Sequence, residues 1–157
     1  MKIIVLVTGK TTTSYVREAT AQYLDRIAHY VPVEFVTLPD VKATKTLSEQ
    51  MQKEKEGQAM LEYFQPSDRV VLLDERGREL TSREFASAIE KRMASGIKRL
   101  VFVVGGPYGF SEAVYNRADA KLSLSKMTFS HEMVRLFFVE QIYRAMTILR
   151  GEPYHHD

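Results

Sequence analysis

The residues best suited to proton chemistry are the last aromatic and imidazole side chains of the sequence, Tyr154, His155 and His156. An unperturbed histidine has a pKa of about 6.5, so either imidazole can accept a proton at neutral pH. The Tyr154 ring can stack on a nucleic-acid base, and its hydroxyl can hydrogen-bond a base carbonyl. Because terminal segments often fray, residue type alone favours a disordered tail over a site.

Two glycine-containing turns follow apolar segments, and each is a candidate for ligand binding. Thr8-Gly9-Lys10-Thr11 ends like a P-loop, but the pattern GxxxxGK[ST] requires a glycine where this chain has Ile4. Gly105-Gly106-Pro107-Tyr108-Gly109 lacks the GxGxxG spacing of dinucleotide folds. Its glycines let the backbone approach a flat ligand such as adenine, although a tight turn that needs positive φ explains them as well.

Length and composition exclude several classes of protein. The 157 residues suffice for one domain, 1–157, with a full hydrophobic core. The absence of cysteine excludes disulfide scaffolds, thiolate catalysis and cysteine-ligated metal sites, and we expect no metal. A net charge of +2 argues against non-specific polyanion binding as the main activity, but it permits a local basic surface. No apolar run reaches the roughly 18 residues of a membrane helix, so we expect a cytoplasmic protein with no membrane partner.

The pattern of β-branched segments predicts a parallel α/β fold. Four clear strand candidates are followed by a short fifth: Lys2–Val7, Val33–Leu38, Arg69–Leu73, Leu100–Val104 and Leu122–Ser125. The first four are separated by intervals long enough for crossover helices. In such a sheet, ligands bind beyond the carboxyl ends of strands, so the loops after Leu73, Gly105 and Ser125 would converge if their strands are neighbours.

Apolar residues at helical spacing predict the helices between these strands. Tyr15, Ala19, Tyr23 and Ile27 recur every four residues and should share one buried face. The other predicted helices are a charged one between Leu47 and Phe64, one from a Thr81 or Ser82 cap to Met93, a short one opened by Gly109–Ser111, and a final one over His131–Leu149. We take Glu75–Arg78 as a turn.

Three segments resemble, in order and spacing, the ribosomal RNA large subunit methyltransferase H family: Phe102–Gly109, Leu122–His131 and Arg150–His155. The similarity covers essentially the whole chain, including Lys53–Gly57. It implies a SPOUT-class fold, in which a parallel sheet ends in a C-terminal trefoil knot. Periodicity by itself shows no knot, and knots are almost absent from protein folds.

The resemblance also implies an activity: a homodimer that binds S-adenosylmethionine and methylates N3 of a pseudouridine in the 23S rRNA of assembled ribosomes. The cofactor would contact three loops, through Leu73, Gly105, and the run Leu124, Ser125, Lys126, Met127, Thr128 and Phe129. Without the family match, Ser125 and Thr128 are ordinary turn hydroxyls. Tyr154, His155 and His156 become the candidates for acceptor chemistry.

Methyl transfer from a sulfonium is an in-line displacement, so the enzyme must place the acceptor nitrogen behind the methyl group. The N3 of a uracil-type base carries a proton at neutral pH, so a base, or donors that stabilise the enolate form, should assist. The sequence does not identify that base. A non-catalytic adenosyl-ligand or RNA-binding module, and a nucleotide-phosphate enzyme that uses Gly9-Lys10-Thr11, are the alternatives. The intact Tyr154-His155 pair favours the enzyme.

Two residues need separate interpretation. His156 stands where family tails often carry arginine or lysine, so a fixed charge is replaced by a titratable one. We hypothesise that His156 still assists phosphate or substrate binding, more strongly at mildly acidic pH.

Arg135, early in the last helix, is a candidate for contact with the cofactor or rRNA phosphates, or for an ion pair with a carboxylate such as Glu132. Phe137, Phe138, Tyr143 and Met146 are better explained as core or dimer contacts than as a base-stacking platform.

Overall fold

The computed structural model describes residues 1–42 and 46–157. Within them, five parallel strands form one sheet in the order β2-β1-β4-β3-β5. The strands are β1 (Lys2–Thr8), β2 (Val33–Leu38), β3 (Arg69–Glu79), β4 (Arg99–Val104) and β5 (Ala120–Ser123). The helices are α1 (Ser14–Ile27), α2 (Glu49–Tyr63), α3 (Ser82–Ala94), α4 (Glu112–Arg117) and α5 (Met133–Leu149). The predicted parallel α/β class is confirmed, while the knot stays a prediction.

The sheet is buried on both faces, which explains why its central strands read as continuous apolar runs. Alternate residues of β1 point to opposite sides: Ile3 and Val5 pack with α1, α3 and α5, whereas Ile4 and Leu6 pack with α2 and α4. All four are at most 1% exposed. No helix in the described part of the chain has the length and apolar content needed to cross a membrane.

The helix caps follow the predicted signals, but one helical face was misjudged. The Thr81 hydroxyl accepts from the Glu84 amide at 3.1 Å and begins α3, and Ser111 caps α4 in the same way at 3.3 Å. In α1 the predicted face is wrong at Tyr15, which is 67% exposed. The residues buried there are Val16, Thr20 and Ile27, so the prediction is confirmed at Ile27 but wrong at the start of the helix.

The predicted turn at Glu75–Arg78 is also wrong, because β3 continues to Glu79. Both Leu73 and Arg78 align with Leu122 of β5, so the four residues between them bulge out of the ladder. Gly77 permits this bulge, since a Cβ there would lie 2.6 Å from the Leu122 backbone nitrogen. The fifth strand accordingly covers Ala120–Ser123, two residues earlier than predicted.

Arg135 ties α5 to the loop between β1 and α1. Its guanidinium donates to the carbonyl oxygens of Thr8 and Gly9, both at 2.8 Å, and to the Thr11 hydroxyl at 3.0 Å. The residue is 3% exposed, and this burial lowers the pKa of its guanidinium. Glu132 is not the ion-pair partner considered above, because its carboxylate accepts from Thr12 and Thr13 of the same loop. Substrate contact by Arg135 stays a prediction.

Other contacts leave little of the Gly9 loop for phosphate. The Gly9 amide, which a phosphate would need, already donates to the Leu38 carbonyl at 2.8 Å, and the carboxylate of Asp40 lies so close that a Cβ on Gly9 would be 2.2 Å from its oxygen. A carboxylate beside the loop repels a phosphate group. The loop therefore fits the strand-to-helix turn rather than the nucleotide site.

We expect Arg135→Met to lower the free energy of unfolding by about 2–4 kcal/mol, because it leaves two buried carbonyl oxygens without a donor. Urea denaturation measures the change. Arg17→Met is the matched control, since Arg17 makes one 3.3 Å bond from an exposed position to the Thr11 carbonyl of this loop. That variant should stay within about 0.5 kcal/mol of the parent. Equal losses in the two variants would contradict the anchoring role.

Candidate functional site

A cleft of about 530 Å³ opens at the carboxyl ends of β4 and β5 and at the bulge in the middle of β3. Since β3 pairs with both β4 and β5, its bulge meets the loops that follow those two strands there. Most of the residues predicted to hold a cofactor line this cleft: Leu73, Gly105, Leu124, Ser125, Met127, Thr128 and Phe129. Lys126 is the exception, because it is exposed and does not line the cleft.

The glycine turn forms one wall of the cleft, and close packing requires its first two glycines. The Gly109 amide donates to the Gly106 carbonyl at 3.1 Å, and of the turn's glycines Gly109 alone has positive φ, at 83°. Positive φ therefore does not explain Gly105 and Gly106. A Cβ on Gly105 would lie 3.0 Å from the Phe110 ring, and one on Gly106 would lie 2.2 Å from a carboxylate oxygen of Glu56.

Glu56 is a buried carboxylate behind this wall, and sequence reasoning did not identify it. It is 5% exposed, and its Oε1 accepts from the Gln52 side chain at 3.0 Å. The neighbouring Gly57 lets α2 approach α4, since a Cβ there would lie 2.3 Å from the Ser111 hydroxyl. The segment that carries part of the family resemblance, Lys53–Gly57, thus supports the glycine turn from behind.

The loop after β5 forms the opposite wall and uses its hydroxyls to hold its own shape. The Ser123 hydroxyl donates to the Ser125 carbonyl at 3.1 Å, and the Ser125 hydroxyl accepts from the Met127 amide at 3.0 Å. Phe129 packs on Phe137 of α5 with ring centroids 5.5 Å apart. Apolar side chains and backbone amides therefore dominate this wall.

The β3 bulge supplies charged groups to the cleft that sequence reasoning missed. Tyr115 donates its hydroxyl to Asp74, and the Arg76 amide donates to the other oxygen of the same carboxylate at 2.8 Å. Burial and the bond to Asp74 raise the pKa of Tyr115 to about 12, so its hydroxyl stays a donor at neutral pH. Asp74 is thereby held in a fixed orientation at the cleft. In the sequence, Gly77 was the signal that could have indicated a bulge here, because a glycine at this position permits it.

Tyr154 is docked on α5 and its hydroxyl is already committed. The hydroxyl donates to Glu140 at 2.8 Å and lies 3.4 Å from the Tyr23 hydroxyl. The ring packs edge-on against Tyr143, and the Arg144 guanidinium lies 4.9 Å from its centroid. Burial and the bonds to Tyr23 and Glu140 raise the pKa of Tyr154 above its ordinary value. At neutral pH this side chain can donate a hydrogen bond but cannot serve as a base.

Both ring nitrogens of His155 are engaged. A guanidinium only donates, so Nδ1 of His155 accepts from Arg144 at 3.2 Å. Nε2 then carries the hydrogen and donates to Asp157 at 2.9 Å. Asp157 also pairs with Arg83 at 2.8 Å, and the hydrogen bonds from Arg83 and His155 lower the pKa of Asp157 to about 2. His156, in contrast, is exposed, with no hydrogen bond to another described residue.

Within one chain, the tail residues and the cleft are separate. None of Tyr154, His155 and His156 lines the cleft. The cleft reaches α5 at Val134, whereas the tail docks around Arg144, about ten residues further and therefore roughly 15 Å along the helix. Chemistry that uses both sets requires the tail to move or a second chain to supply one of them.

Comparison with known proteins identifies the relatives of this chain. The family model described as "Predicted SPOUT methyltransferase" matches residues 1–155. Among similar curated proteins, the ribosomal RNA large subunit methyltransferase H of Parabacteroides distasonis is 60% identical over 157 residues, which is 100% of both chains. Proteins of the same name from Christiangramia forsetii and Porphyromonas gingivalis are 57% and 54% identical, over 99% and 100% of both chains.

We expect Gly106→Ala to lower the free energy of unfolding by about 1–3 kcal/mol, because the new methyl group overlaps the buried Glu56 carboxylate. In a Glu56→Ala background the same change should cost less than about 0.5 kcal/mol, because the space is then free. Urea denaturation of the double-mutant cycle measures the coupling.

Gly109→Ala serves as the control, since open space surrounds its Cβ position but its φ is +83°. It should cost about 1 kcal/mol in either background, because the strain lies in the backbone. A Gly106→Ala cost that does not depend on Glu56 would contradict the packing explanation.

Proposed function

Because this chain belongs to the SPOUT methyltransferase family, we propose that it transfers a methyl group from S-adenosylmethionine to N3 of a pseudouridine in the 23S rRNA of assembled ribosomes. The observation that carries the proposal is that motif residues from three separate segments, β3 at Leu73 and the loops after β4 and β5, converge on one cleft. The relatives are named for the large-subunit rRNA, which supports the substrate. A ribosomal substrate implies a cytoplasmic location, and we treat 1–157 as one domain.

The cleft fits S-adenosylmethionine in size and chemistry. Its volume of about 530 Å³ lies within the range of small-molecule sites. Gly105 and Gly106 bring bare backbone to the cleft wall, where amides and carbonyls can bond an adenine edge. Leu73, Leu124 and Phe129 provide apolar surfaces for the ring and the methionine chain, and we also assign Ser125, Met127 and Thr128 to contacts with the cofactor. Contact by Lys126 stays a prediction of the family resemblance, because this residue does not line the cleft.

When bound, the cofactor supplies a methyl group activated by a sulfonium charge. The protein's own contribution is to position the acceptor and to manage its N3 proton. Tyr154 is a donor held by Glu140, so it can hydrogen-bond a base carbonyl only by exchanging that partner. His155 can accept a proton at Nδ1 once Arg144 releases it, and His156 is accessible without any rearrangement. We propose these three residues as the acceptor half of the site.

We further propose that the active unit is a homodimer in which one subunit's tail completes its partner's cleft. The separation of tail and cleft within one chain supports this arrangement. Large apolar side chains are exposed near the cleft, with Met127 78% and Phe137 44% accessible. Exposed apolar surface of this kind is typical of an interface. Phe138 and Met146, by contrast, are buried in the core.

The direct test offers labelled S-adenosylmethionine to the purified protein with ribosomes that lack the modification, and with free rRNA and isolated subunits as comparators. We expect label at N3 of one pseudouridine, located by nuclease digestion and mass spectrometry, and most of it with assembled ribosomes. A protein truncated after Pro153 should bind the cofactor within a few-fold of the parent but transfer no label. Label in no substrate rejects the enzymatic proposal and favours the non-catalytic module.

Complementation tests the shared site. Gly105→Val distorts the cleft wall, because its side chain would overlap the Phe110 ring, but it keeps the tail. The truncation after Pro153 keeps the cleft but removes the tail, so each homodimer should be inactive. A purified heterodimer of the two contains one cleft and one tail that are both intact. If the tail acts on its partner, the heterodimer should recover about half of the parental turnover. No recovery, from a heterodimer of correct mass by sedimentation, contradicts the assignment of the tail to the partner's cleft.

A further inference from the structure

Six cationic residues form a continuous surface around the outer edge of the sheet, here called the basic edge. They are Arg69, Arg76, Arg78, Lys91, Arg92 and Lys121. Four of them line a groove of about 540 Å³ along α3, and the other two line a hollow of about 360 Å³ beside β5. Asp119 lies in both concavities, so they adjoin. Arg76 also lines the cofactor cleft, which places the active site at one end of the surface.

Most of these charges have no counterion. Asp119 lies 3.7 Å from Arg69 but also 3.4 Å from Arg117, which is outside the surface. Lys121 lies over the Tyr115 ring at 5.6 Å. The side chains of Arg76, Arg78, Lys91 and Arg92 form no ion pair or hydrogen bond with any residue that the structure describes. Besides Asp119, Glu84 is the remaining carboxylate that lines the α3 groove.

The surroundings of Arg92 show that placing these cations close together is electrostatically unfavourable when no ligand is bound. It is partly buried in the groove near Arg69, and burial together with the Arg69 charge lowers the pKa of its guanidinium, an effect that the Asp119 carboxylate offsets only in part. A partly desolvated guanidinium that faces another cation gains energy when an anion enters. Its planar group of donors matches the geometry of phosphate oxygens. The groove is therefore suited to an anionic ligand.

We propose that the basic edge binds the sugar–phosphate backbone of rRNA and directs it to the cofactor cleft, an inference that rests on the proposed function. The lining of the groove along α3 runs from Glu84 to Ser95, which is roughly 16 Å of helix, so a single small anion would leave most of it unused. A chain of phosphates fits a line of cations that leads to the reactive centre.

The composition of the surface favours RNA over a protein partner. Protein interfaces have an apolar core, but none of the large apolar side chains exposed on the described residues lies on the basic edge. Protection of an exposed edge strand explains a lysine on β5 such as Lys121. It does not explain Lys91 and Arg92, which lie on α3.

The test replaces Arg78, Lys91 and Arg92 together by glutamine and measures cosedimentation with ribosomes at several salt concentrations. The control replaces Lys2, Lys42 and Lys55, three exposed lysines away from the surface, by glutamine, so both variants lose the same net charge. We expect the basic-edge variant to bind roughly 10-fold to 100-fold more weakly near 0.1 M salt, and the slope of log K against log salt to fall by about 2. The control should match the parent in slope.

Two further measurements distinguish a failure of the RNA-binding proposal from a failure of the proposed methyl transfer. Calorimetric titration with S-adenosylmethionine should give parental affinity for both variants, and saturating ribosomes should restore the kcat of the basic-edge variant while KM stays raised. Parental affinity and slope in that variant would overturn the proposal even if methyl transfer is intact. A shift of its sedimentation mass to monomer would also overturn it, because the surface would then serve the dimer. Absence of methyl transfer by the parent, with the binding difference present, would reject the proposed reaction alone.

Discussion

Pairing of β3 with both β4 and β5 is the constraint on which the site depends. A parallel strand cannot be reached by a tight turn, so each of these strands is joined to the next by a crossover that contains a helix. The carboxyl ends of β4 and β5 consequently lie on either side of the β3 bulge, and their loops share one space with it. If β5 were placed elsewhere in the sheet, Leu73 and Leu124 would not belong to the same cleft, whatever their local sequence.

Close packing behind the glycine turn is the second requirement. Gly105 and Gly106 bring the turn against Phe110 and Glu56, and Gly57 brings α2 against α4. The backbone that faces the cleft is therefore supported by a rigid aromatic ring and a buried carboxylate. Preorganised backbone donors cost no reorganisation when a ligand arrives, which is how such a wall contributes to binding without charged side chains.

The sequence predicted the positions of the strands well. The strands of a sheet buried on both faces are continuous β-branched runs, and few other structures produce such runs. The prediction failed at positions whose structure depends on contacts between distant parts of the chain. Tyr15 has the spacing of a buried residue but is exposed, and Glu75–Arg78 has the composition of a turn but forms a bulge within β3. Net charge was equally uninformative, because a value of +2 averages over carboxylates far from the basic edge. The bond from Arg135 to Gly9 joins residues 126 positions apart, and no local pattern reports it.

The tail shows why a well-ordered arrangement need not be the reactive one. Glu140 and Arg144 hold the Tyr154 hydroxyl and the His155 imidazole in partly buried hydrogen bonds, so both groups are positioned but not available. Each such bond contributes only about 1–3 kcal/mol net, which is within what contacts to a bound nucleotide can replace. On the proposed function, a substrate would have to replace Arg144 before Nδ1 of His155 could accept a proton. Glu140 and Arg144 therefore define the two hydrogen bonds that a ligand has to displace before the tail, proposed as the acceptor half of the site, can act.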